Sequence, residues 1–436
     1  MKPMNIGLLG IGTVGLGTYQ VLNRNQEEIQ RRAGRNIRIS MVADIDVERA
    51  RSLVGPDCVV VSDGRQIIAN PEIDIVVELI GGYGIAYELV MAAIESGKHV
   101  VTANKALLAV HGTEIFEAAH RKGVMVAFEA SVAGGIPIIK ALREGLTANR
   151  IEWIAGIING TTNFILSQMR EKNWSFQQAL EMAQSLGYAE ADPTFDIQGI
   201  DAAHKASIMA AIAFGVRMPF KNAYIEGITQ LQSQDIRFAE QLGYRIKLLG
   251  IAKQTPDGIE LRIHPCLVPA KSIIANVEGA MNAVMVQADA VGTTLYYGKG
   301  AGSEPTASAV IADLVDITRL HTADPLNRVP HLAFQPQEMR DIPVLSIDQV
   351  LTAYYLRLGV ADQAGVLASV TGILAEFNIS IDAMLQQPSH NREESTELII
   401  LTHQCPESQM NGALVKIQSL ATVIEPIIRI RKEELI

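Results

Sequence analysis

Asn5-Ile-Gly-Leu-Leu-Gly10-Ile-Gly12-Thr-Val-Gly15, close to the start of the chain, joins a short apolar strand to the glycine pattern G-x-G-x-x-G. In that pattern the first glycine makes a tight turn, the second lets backbone approach a pyrophosphate, and the third lets the next helix pack closely on the strand. The run Leu16 to Glu28 is helix-like, and its N-terminal amides would face the phosphates. The predicted cofactor contacts in this loop are Gly10, Gly12, Thr13, Val14 and Gly15.

Strands and helices alternate through the next hundred residues. Strands are predicted at 37–43, 73–80 and 99–102, and a helix at 88–96. This alternation is typical of a doubly wound parallel sheet. Asp44 ends the second strand, where a carboxylate accepts a hydrogen bond from the adenine ribose and favours NAD. Nearby arginines would serve NADP, so the coenzyme preference stays open, as does a Rossmann-like domain without a cofactor.

The segment Gly187 to Lys205 places four carboxylates, at Glu190, Asp192, Asp196 and Asp201, just ahead of a lysine. Asp201 and Lys205 are four residues apart, so they share one face of the Ala-rich helix predicted there. Carboxylates and a lysine held together suit a site that grips an amino-acid-like substrate and moves a proton. The alternative is a solvated helix N-terminus, where acidic residues are favoured by the helix dipole.

Three other features of the first two thirds of the chain bear on a site. Lys105 follows the carboxyl end of a predicted strand, where ligands of open α/β sheets collect. The small-residue loop after the strand Val124 to Glu129 leaves carbonyls accessible, which suits either a monovalent cation or a plain turn. Gly298 to Pro305 opens a helix that we expect to return to the nucleotide domain, unless it is an ordinary connector. His264 and Cys266 are too few for a closed metal site.

The last quarter of the chain predicts a separate module. Four prolines between 325 and 343 mark a linker. Beyond it the pattern is β-α-β-β-α-β, a ferredoxin-like unit suited to ligand sensing or dimerisation. The predicted domains are a Rossmann domain at 1–130 with helix 305–320 returning to it, a mixed α/β catalytic and dimerisation domain at 131–304, a linker at 325–345 and a ferredoxin-like domain at 350–436.

Composition restricts the class of partner. The formal net charge of -10 argues against nucleic acid or an anionic membrane. The three cysteines have no CxxC spacing, which suits a reducing cytoplasm. No uninterrupted apolar run reaches the roughly 18 residues of a membrane helix. We therefore expect a cytoplasmic protein that acts on small molecules.

Taken together, these motifs resemble homoserine dehydrogenases of the monofunctional type with a C-terminal ACT domain. The resemblance covers essentially the whole chain. It is carried by the glycine fingerprint, Thr102-Ala-Asn-Lys105, Glu129-Ala-Ser-Val-Ala-Gly-Gly-Ile-Pro137, Asn159-Gly-Thr-Thr-Asn163, Gly187 to Lys205, and Asp362-Gln-Ala-Gly-Val-Leu367. Unrelated Rossmann enzymes share only the first of these.

The resemblance implies the NAD(P)H-dependent, reversible reduction of L-aspartate 4-semialdehyde to L-homoserine in threonine, methionine and isoleucine biosynthesis. It makes Lys205 the proton donor to the carbonyl oxygen and puts Lys105 between cofactor and substrate. Glu190 and Asp201 would hold the substrate amino end, with Asp196 close by. The ACT domain would bind an amino-acid effector such as threonine, and the enzyme would be a homodimer or homotetramer.

Further residues follow from the resemblance alone. The cofactor contacts beyond the glycine loop would be Asp44, Thr102, Lys105 and Gly302. A sodium ion would be held by backbone oxygens of Glu129, Val132, Gly134 and Ile136. The effector contacts would be Asp362, Gly365 and Val366.

Two other functions remain open at this point. A semialdehyde dehydrogenase that forms a thioester needs a nucleophilic cysteine, and neither Cys58, in the nucleotide half, nor Cys266, in a predicted strand, is well placed. A non-catalytic sensor of amino acids and dinucleotides would keep the glycine loop and the ACT domain. Such a sensor has no need for Lys205 and its carboxylates.

Overall fold

The structure is a computed structural model that describes residues 2–388 and 395–435, so residues 389–394 of the polar loop predicted from Pro388 to Glu394 lie outside them. The strands are β1 Met4–Leu9, β2 Ile37–Ala43, β3 Val59–Val61, β4 Ile75–Glu78, β5 His99–Thr102, β6 Val126–Ala127, β7 Ile151–Ile157, β8 Tyr224–Ile225, β9 Tyr244–Thr255, β10 Gly258–Pro269, β11 Met281–Ala288, β12 Gly292–Lys299, β13 Leu351–Ala361, β14 Ile381–Pro388, β15 Ser395–Thr402, β16 Cys405–Pro406 and β17 Ile428–Lys432.

Helices connect these strands. They are α1 Thr13–Arg24, α2 Gln26–Ala33, α3 Val47–Leu53, α4 Arg65–Ala69, α5 Gly84–Glu95, α6 Lys105–Lys122, α7 Ile138–Lys140, α8 Gly160–Lys172, α9 Phe176–Ser185, α10 Thr194–Ile197, α11 Ile200–Phe214, α12 Ser233–Gln241, α13 Ser303–Leu320, α14 Val366–Glu376 and α15 Glu407–Gln418. A π-helical turn over Ala141–Gly145 follows α7. Among the residues described, no helix is both long enough and apolar enough to cross a membrane.

The chain forms two compact units. The first comprises residues 1–158, 201–221 and 281–342, and the second comprises residues 159–200, 222–280 and 343–436. Each unit therefore takes up several separate stretches of the sequence.

The first unit contains a parallel sheet in the order β3-β2-β1-β4-β5-β6. This is the strand order of the doubly wound dinucleotide-binding fold. Its apolar core combines Ile6 and Leu8 of β1 with Val310 and Leu314 of α13. The late helix therefore packs on the first strands of the chain, although some 300 residues separate them. A second, antiparallel group in the same unit pairs β11 with β7 and with β12.

The second unit contains a long antiparallel hairpin, β9 with β10. Two residues of β10 also pair with β17, in parallel orientation. From there an antiparallel sheet runs β17-β13-β15-β14, with α14 and α15 packed on one face. The order β13-α14-β14-β15-α15-β17 is the β-α-β-β-α-β pattern expected from the sequence. The predicted α/β fold class, with a Rossmann sheet, a mixed sheet and a ferredoxin-like domain, is confirmed by this architecture.

The sequence predicts no strand at residues 292–299. In the structure β12 begins at a turn residue, Gly292, and pairs with β11 along its whole length. The turn residue itself has φ +75°, a left-handed conformation that favours glycine. The residues that follow alternate between partly buried and exposed, so hydrophobicity alone gave a weak signal.

Candidate active site

The glycine loop has the geometry of a phosphate cradle. Gly10 has φ +90°, and a Cβ on Gly15 would come 2.2 Å from the Gly10 carbonyl oxygen, so both positions require glycine. Gly12 is the N-cap of α1, and a Cβ there would meet nothing within 4 Å. The structure therefore leaves room beside the start of α1, which is what a dinucleotide pyrophosphate needs.

Asp44 ties the end of β2 to this loop. One of its carboxylate oxygens accepts from the Ile11 amide at 2.9 Å, and the other accepts from the Asp46 amide at 3.0 Å. The Asp44 carboxylate is thus fixed beside the glycine turn, and its contact with a ribose stays a prediction. Of the two arginines that would serve NADP, Arg51 pairs with Glu48 and Arg49 is exposed.

The ends of β4 and β5 are joined by a carboxylate that the sequence interpretation missed. Glu78 is fully buried; one oxygen accepts from the Thr102 hydroxyl at 2.6 Å, and the other accepts from the Ile80 and Gly81 amides. Thr102 in turn accepts from the Asn104 amide. The Thr102 side chain is thus committed to shaping the crevice, and only its backbone remains to face a cofactor. The signal for Glu78 that the sequence offered was an acidic residue at the end of an apolar strand.

Helix α13 begins beside α1. The Ser303 hydroxyl donates to the Thr13 carbonyl at 2.8 Å, and Arg24 pairs with Glu304 on the exposed side. Gly302 is the N-cap of α13 with φ +123°, a conformation open to glycine. The predicted late cofactor residue therefore lies at a helix start that is hydrogen-bonded to the glycine-loop helix.

Two lysines meet at one carboxylate in the first unit. Lys205 Nζ lies 2.7 Å from Asp201 Oδ2 and donates to the Ile158 carbonyl at 2.7 Å. Lys105 Nζ lies 3.0 Å from Asp201 Oδ1. The Asp201 side chain is 4% exposed and that of Lys205 10%, whereas that of Lys105 is 36% exposed. Asp201 thus bridges two ammonium groups, one buried and one accessible.

The histidine next to this cluster is neutral. Burial lowers the pKa of His204 to about 4, and the charges of Lys105 and Lys205 act in the same direction against the opposing Asp201. Its ring packs against Phe220 in a tilted arrangement, with centroids 4.3 Å apart and 58° between the ring planes. His204 therefore packs behind the lysine cluster and does not add a second acid.

The other acidic residues of the predicted site belong to the second unit. Asp196 accepts from Asn159 Nδ2 at 2.7 Å, and Asn159 Oδ1 caps α8 by accepting from the Thr162 amide. Thr161 donates its hydroxyl proton to the Tyr188 carbonyl at 2.6 Å. The Asn159–Asn163 motif thus holds the segment that contains Glu190, whose side chain is exposed.

Comparisons with known proteins agree over the whole chain. Family profiles described as "Homoserine dehydrogenase, NAD binding domain", "Homoserine dehydrogenase" and "ACT domain" match residues 10–129, 137–315 and 354–421. The homoserine dehydrogenase of Pseudomonas aeruginosa is 57% identical over the full length of both chains, and that of Neisseria gonorrhoeae is 56% identical, also over the full length. The chain belongs to the homoserine dehydrogenase family.

Solved structures of homoserine dehydrogenases lead to the same family. The enzyme of Thiobacillus denitrificans has a TM-score of 0.95 at 62% identity and covers 100% of this chain and 99% of its own. The Staphylococcus aureus enzyme reaches 0.76 at 30% identity, with 99% of each chain covered. A hyperthermophilic archaeal homoserine dehydrogenase, solved with NADPH, reaches 0.63 at 25% identity and covers 74% of this chain. The protein is an NAD(P)-dependent oxidoreductase.

The resemblance to homoserine dehydrogenases links the loop after β6 to sodium, and the backbone of this loop is constrained. The Glu129 carboxylate accepts from the Ile139 and Lys140 amides, and its backbone amide donates to Asp313. Ala133 and Gly134 both have positive φ. Within the loop, the Glu129 and Ile136 carbonyls accept from the Val132 and Ile138 amides, and the Glu129 side chain is committed to the start of α7. Any cation ligands would therefore be main-chain oxygens, as the resemblance requires.

Only one group of side chains among those described could hold a metal ion, namely His264, Cys266 and Glu433. The Arg262 guanidinium hydrogen-bonds both His264 Nε2 and Glu433. A cation already occupies the position between these groups and repels a second one. The cluster therefore does not fit a metal ion. His264 and Cys266 alone are too few for a closed site, as the sequence indicates.

The ACT residues divide by exposure. Asp362 and Gly365 are exposed, and Gly365 has φ +91° at the N-cap of α14. Val366 is 6% exposed and its side chain belongs to the apolar core of the domain. Only the backbone of Val366 is available to an effector.

Proposed function

We propose that the protein catalyses the reversible reduction of L-aspartate 4-semialdehyde to L-homoserine. The observation that carries this proposal is the Lys105–Asp201–Lys205 cluster, in which Asp201 and Lys205 are buried, held in the same compact unit as the glycine cradle. A cofactor-binding protein without chemistry has no need for an ammonium group that is buried and pinned by a carboxylate. The related enzymes named above carry the same activity in their names.

The bound nicotinamide supplies hydride to the carbonyl carbon of the aldehyde. The carbonyl oxygen then develops negative charge and needs a proton, which Lys205 Nζ donates. Asp201 keeps that ammonium group charged and aimed, since an adjacent carboxylate favours the protonated form. Lys105, the more exposed lysine, contributes a second positive charge for the developing alkoxide. In the oxidation of homoserine, Lys205 takes the hydroxyl proton back.

The substrate ammonium group needs carboxylates. We assign Glu190 and Asp196 to this role together with Asp201, on the strength of the resemblance. The Asn159 side chain supports the assignment for Asp196, because it donates to Asp196 Oδ1 and fixes that carboxylate. Glu190 retains an exposed side chain that can accept from an ammonium group.

The coenzyme contacts are assigned to the glycine loop and the strand ends beside it. We assign Gly10, Gly12, Thr13, Val14, Gly15 and Gly302 to the phosphates, Asp44 to the ribose, and Thr102 and Lys105 to the nicotinamide side. Asp44 favours NAD(H), because a carboxylate repels a 2′-phosphate. The exposed Arg49 leaves NADP(H) as the second candidate, and the archaeal relative binds NADPH. Steady-state kinetics with both coenzymes decide between them.

We propose that main-chain oxygens of Glu129, Val132, Gly134 and Ile136 hold sodium, and that the ACT domain binds threonine near Asp362, Gly365 and the Val366 backbone. A homodimer or homotetramer in the cytoplasm completes the proposal. Replacing sodium by choline in the assay tests the first point. Titrating threonine into the assay tests the second.

The decisive experiment mixes the protein with L-homoserine and either NAD+ or NADP+ and follows the absorbance of reduced coenzyme. The proposal predicts formation of reduced coenzyme that depends on homoserine. Tight dinucleotide binding with no turnover on either coenzyme would instead favour the sensor. Reduction of the coenzyme with L-aspartate 4-semialdehyde in place of homoserine, dependent on phosphate or coenzyme A as acyl acceptor, would indicate a thioester-forming dehydrogenase.

A further inference from the structure

Lys247 is a charged residue buried inside the second unit, on strand β9. It is 2% exposed. Its Nζ donates to the Val277 carbonyl at 2.6 Å and to Asn163 Oδ1 at 3.1 Å. The carboxylate of Glu278 lies 3.5 Å from the same nitrogen. Burying an ammonium group is unfavourable unless it is fully hydrogen-bonded, so packing alone does not explain a lysine at this position.

The hydrogen bonds around Lys247 form a closed ring. Asn163 Nδ2 donates to the Val277 carbonyl at 3.0 Å, the same oxygen that accepts from Lys247. One turn further along α8, the Ser167 hydroxyl donates to Glu278 at 2.8 Å and accepts from the Gly279 amide. The inner face of α8 is therefore anchored to the turn at 277–279, and Lys247 is the charge at the centre of that anchor.

The start of the same helix also holds the acidic segment. Asn159 donates to Asp196, and Thr161 donates to the Tyr188 carbonyl. Gly160 presses against the Ala280 carbonyl oxygen, where a Cβ would come within 2.8 Å. A shift of the Asn163 end would displace Asn159 and Thr161 with it, since all three lie within one and a half helical turns.

We propose that Lys247 is a positioning residue for the substrate: through Asn163 and Val277 it fixes the start of α8, and thereby the carboxylate of Asp196. Lys247 itself touches no reacting atom. The proposal rests on the assignment of Asp196 to the substrate ammonium group. It predicts that Lys247 acts on homoserine binding and leaves coenzyme binding unchanged.

The charge of Lys247 is sensitive to pH. Burial lowers its pKa to about 8; Glu278 opposes this shift, while Arg170 and Arg245 add to it. Glu240, on α12, faces Arg170 at 4.0 Å. As the pH rises through 8, the ammonium group loses its proton and one donor of the ring is lost. Arginine at this position keeps its charge throughout that range.

The first test compares Lys247→Met with Lys98→Met. Lys98 is a matched control, because it is also buried and donates to two backbone carbonyls, those of Asn70 and Ile73. We expect Lys247→Met to raise the KM for homoserine about tenfold, the usual effect of one lost buried charged hydrogen bond. The KM for the coenzyme should not change. Equal KM values for homoserine in Lys247→Met and wild type would overturn the proposal.

The second test needs no destabilised variant. The KM for homoserine is measured between pH 7 and pH 9 in wild type and in Lys247→Arg. The wild-type value should rise relative to the Lys247→Arg value by at least threefold, whereas a constant ratio contradicts the proposal. Titration of homoserine itself cancels in that ratio.

A third measurement is independent of activity. Hydrogen exchange of the backbone amides in 159–170 should be faster in wild type at pH 9 than in Lys247→Arg, after correction for intrinsic exchange, while 105–122 should exchange alike. Equal exchange at 159–170 overturns the anchor even if the protein shows no turnover. Lack of turnover in wild type, with the exchange difference present, would instead contradict the proposed function.

Discussion

The carboxylate of Asp201 lies 2.7 Å from Lys205 Nζ, one helical turn away on α11, and its other oxygen lies 3.0 Å from Lys105 Nζ. A single buried carboxylate therefore contacts two ammonium groups. Lys205 is oriented by its bonds to Asp201 and to the Ile158 carbonyl, which the proposed proton transfer requires.

Asp201→Asn removes the bridge without changing its shape. We expect turnover to fall by roughly 10- to 100-fold, because the ammonium group of Lys205 is less well oriented without its carboxylate. Asp192→Asn is the matched control, since Asp192 is exposed and accepts from the Thr194 amide within its own turn. Unchanged turnover in Asp201→Asn would separate this carboxylate from the chemistry.

Gly12→Ala separates cofactor binding from folding. A Cβ at Gly12 meets no protein atom within 4 Å, but it points to where the pyrophosphate would approach. We expect a melting temperature within about 2 °C of wild type and a dinucleotide Kd raised at least tenfold, measured by fluorescence titration. Gly145→Ala, also in open space but outside the cradle, should change neither quantity. Normal affinity in Gly12→Ala would place the phosphates elsewhere.

The Rossmann sheet and the β-α-β-β-α-β module were predictable because both are built from contiguous sequence with strong periodic patterns. The Asp201 and Lys205 pair was predictable for the same reason, since helical spacing alone puts them on one face. The Glu78–Thr102 bond was not, because it joins two strands that only the sheet order brings together. The packing of α13 on α1 was predicted only from the expectation that this late helix returns to the nucleotide domain. No local sequence pattern encodes that return.

Asp313 makes the stability of the first unit depend on pH. Burial, reinforced by Glu129, raises the pKa of this carboxyl from 3.8 to about 7. The folded state therefore keeps a proton that the unfolded chain releases between pH 4 and pH 7. The stabilising contribution is fully present below pH 4 and is lost as the pH rises through 7, by up to ~1.4 kcal/mol per pH unit.

Asp313→Asn has no proton to lose and can still accept from the Glu129 amide. Relative to wild type, its free energy of unfolding should therefore increase by roughly 3 kcal/mol between pH 4.5 and pH 8, as followed by urea titration. Asp316→Asn serves as the control, because Asp316 is partly exposed and lies about one turn further along α13. A difference between Asp313→Asn and wild type that stays constant with pH contradicts this assignment.

The most direct test of the account is single-turnover kinetics of Lys205→Met with Lys271→Met, an exposed lysine, as control. We predict that hydride transfer in Lys205→Met slows by at least ~100-fold, the scale of acid catalysis, while the coenzyme Kd stays within twofold of wild type. Lys271→Met should match wild type in both. Hydride transfer at the wild-type rate in Lys205→Met would contradict the account, because the alkoxide would then obtain its proton from another group.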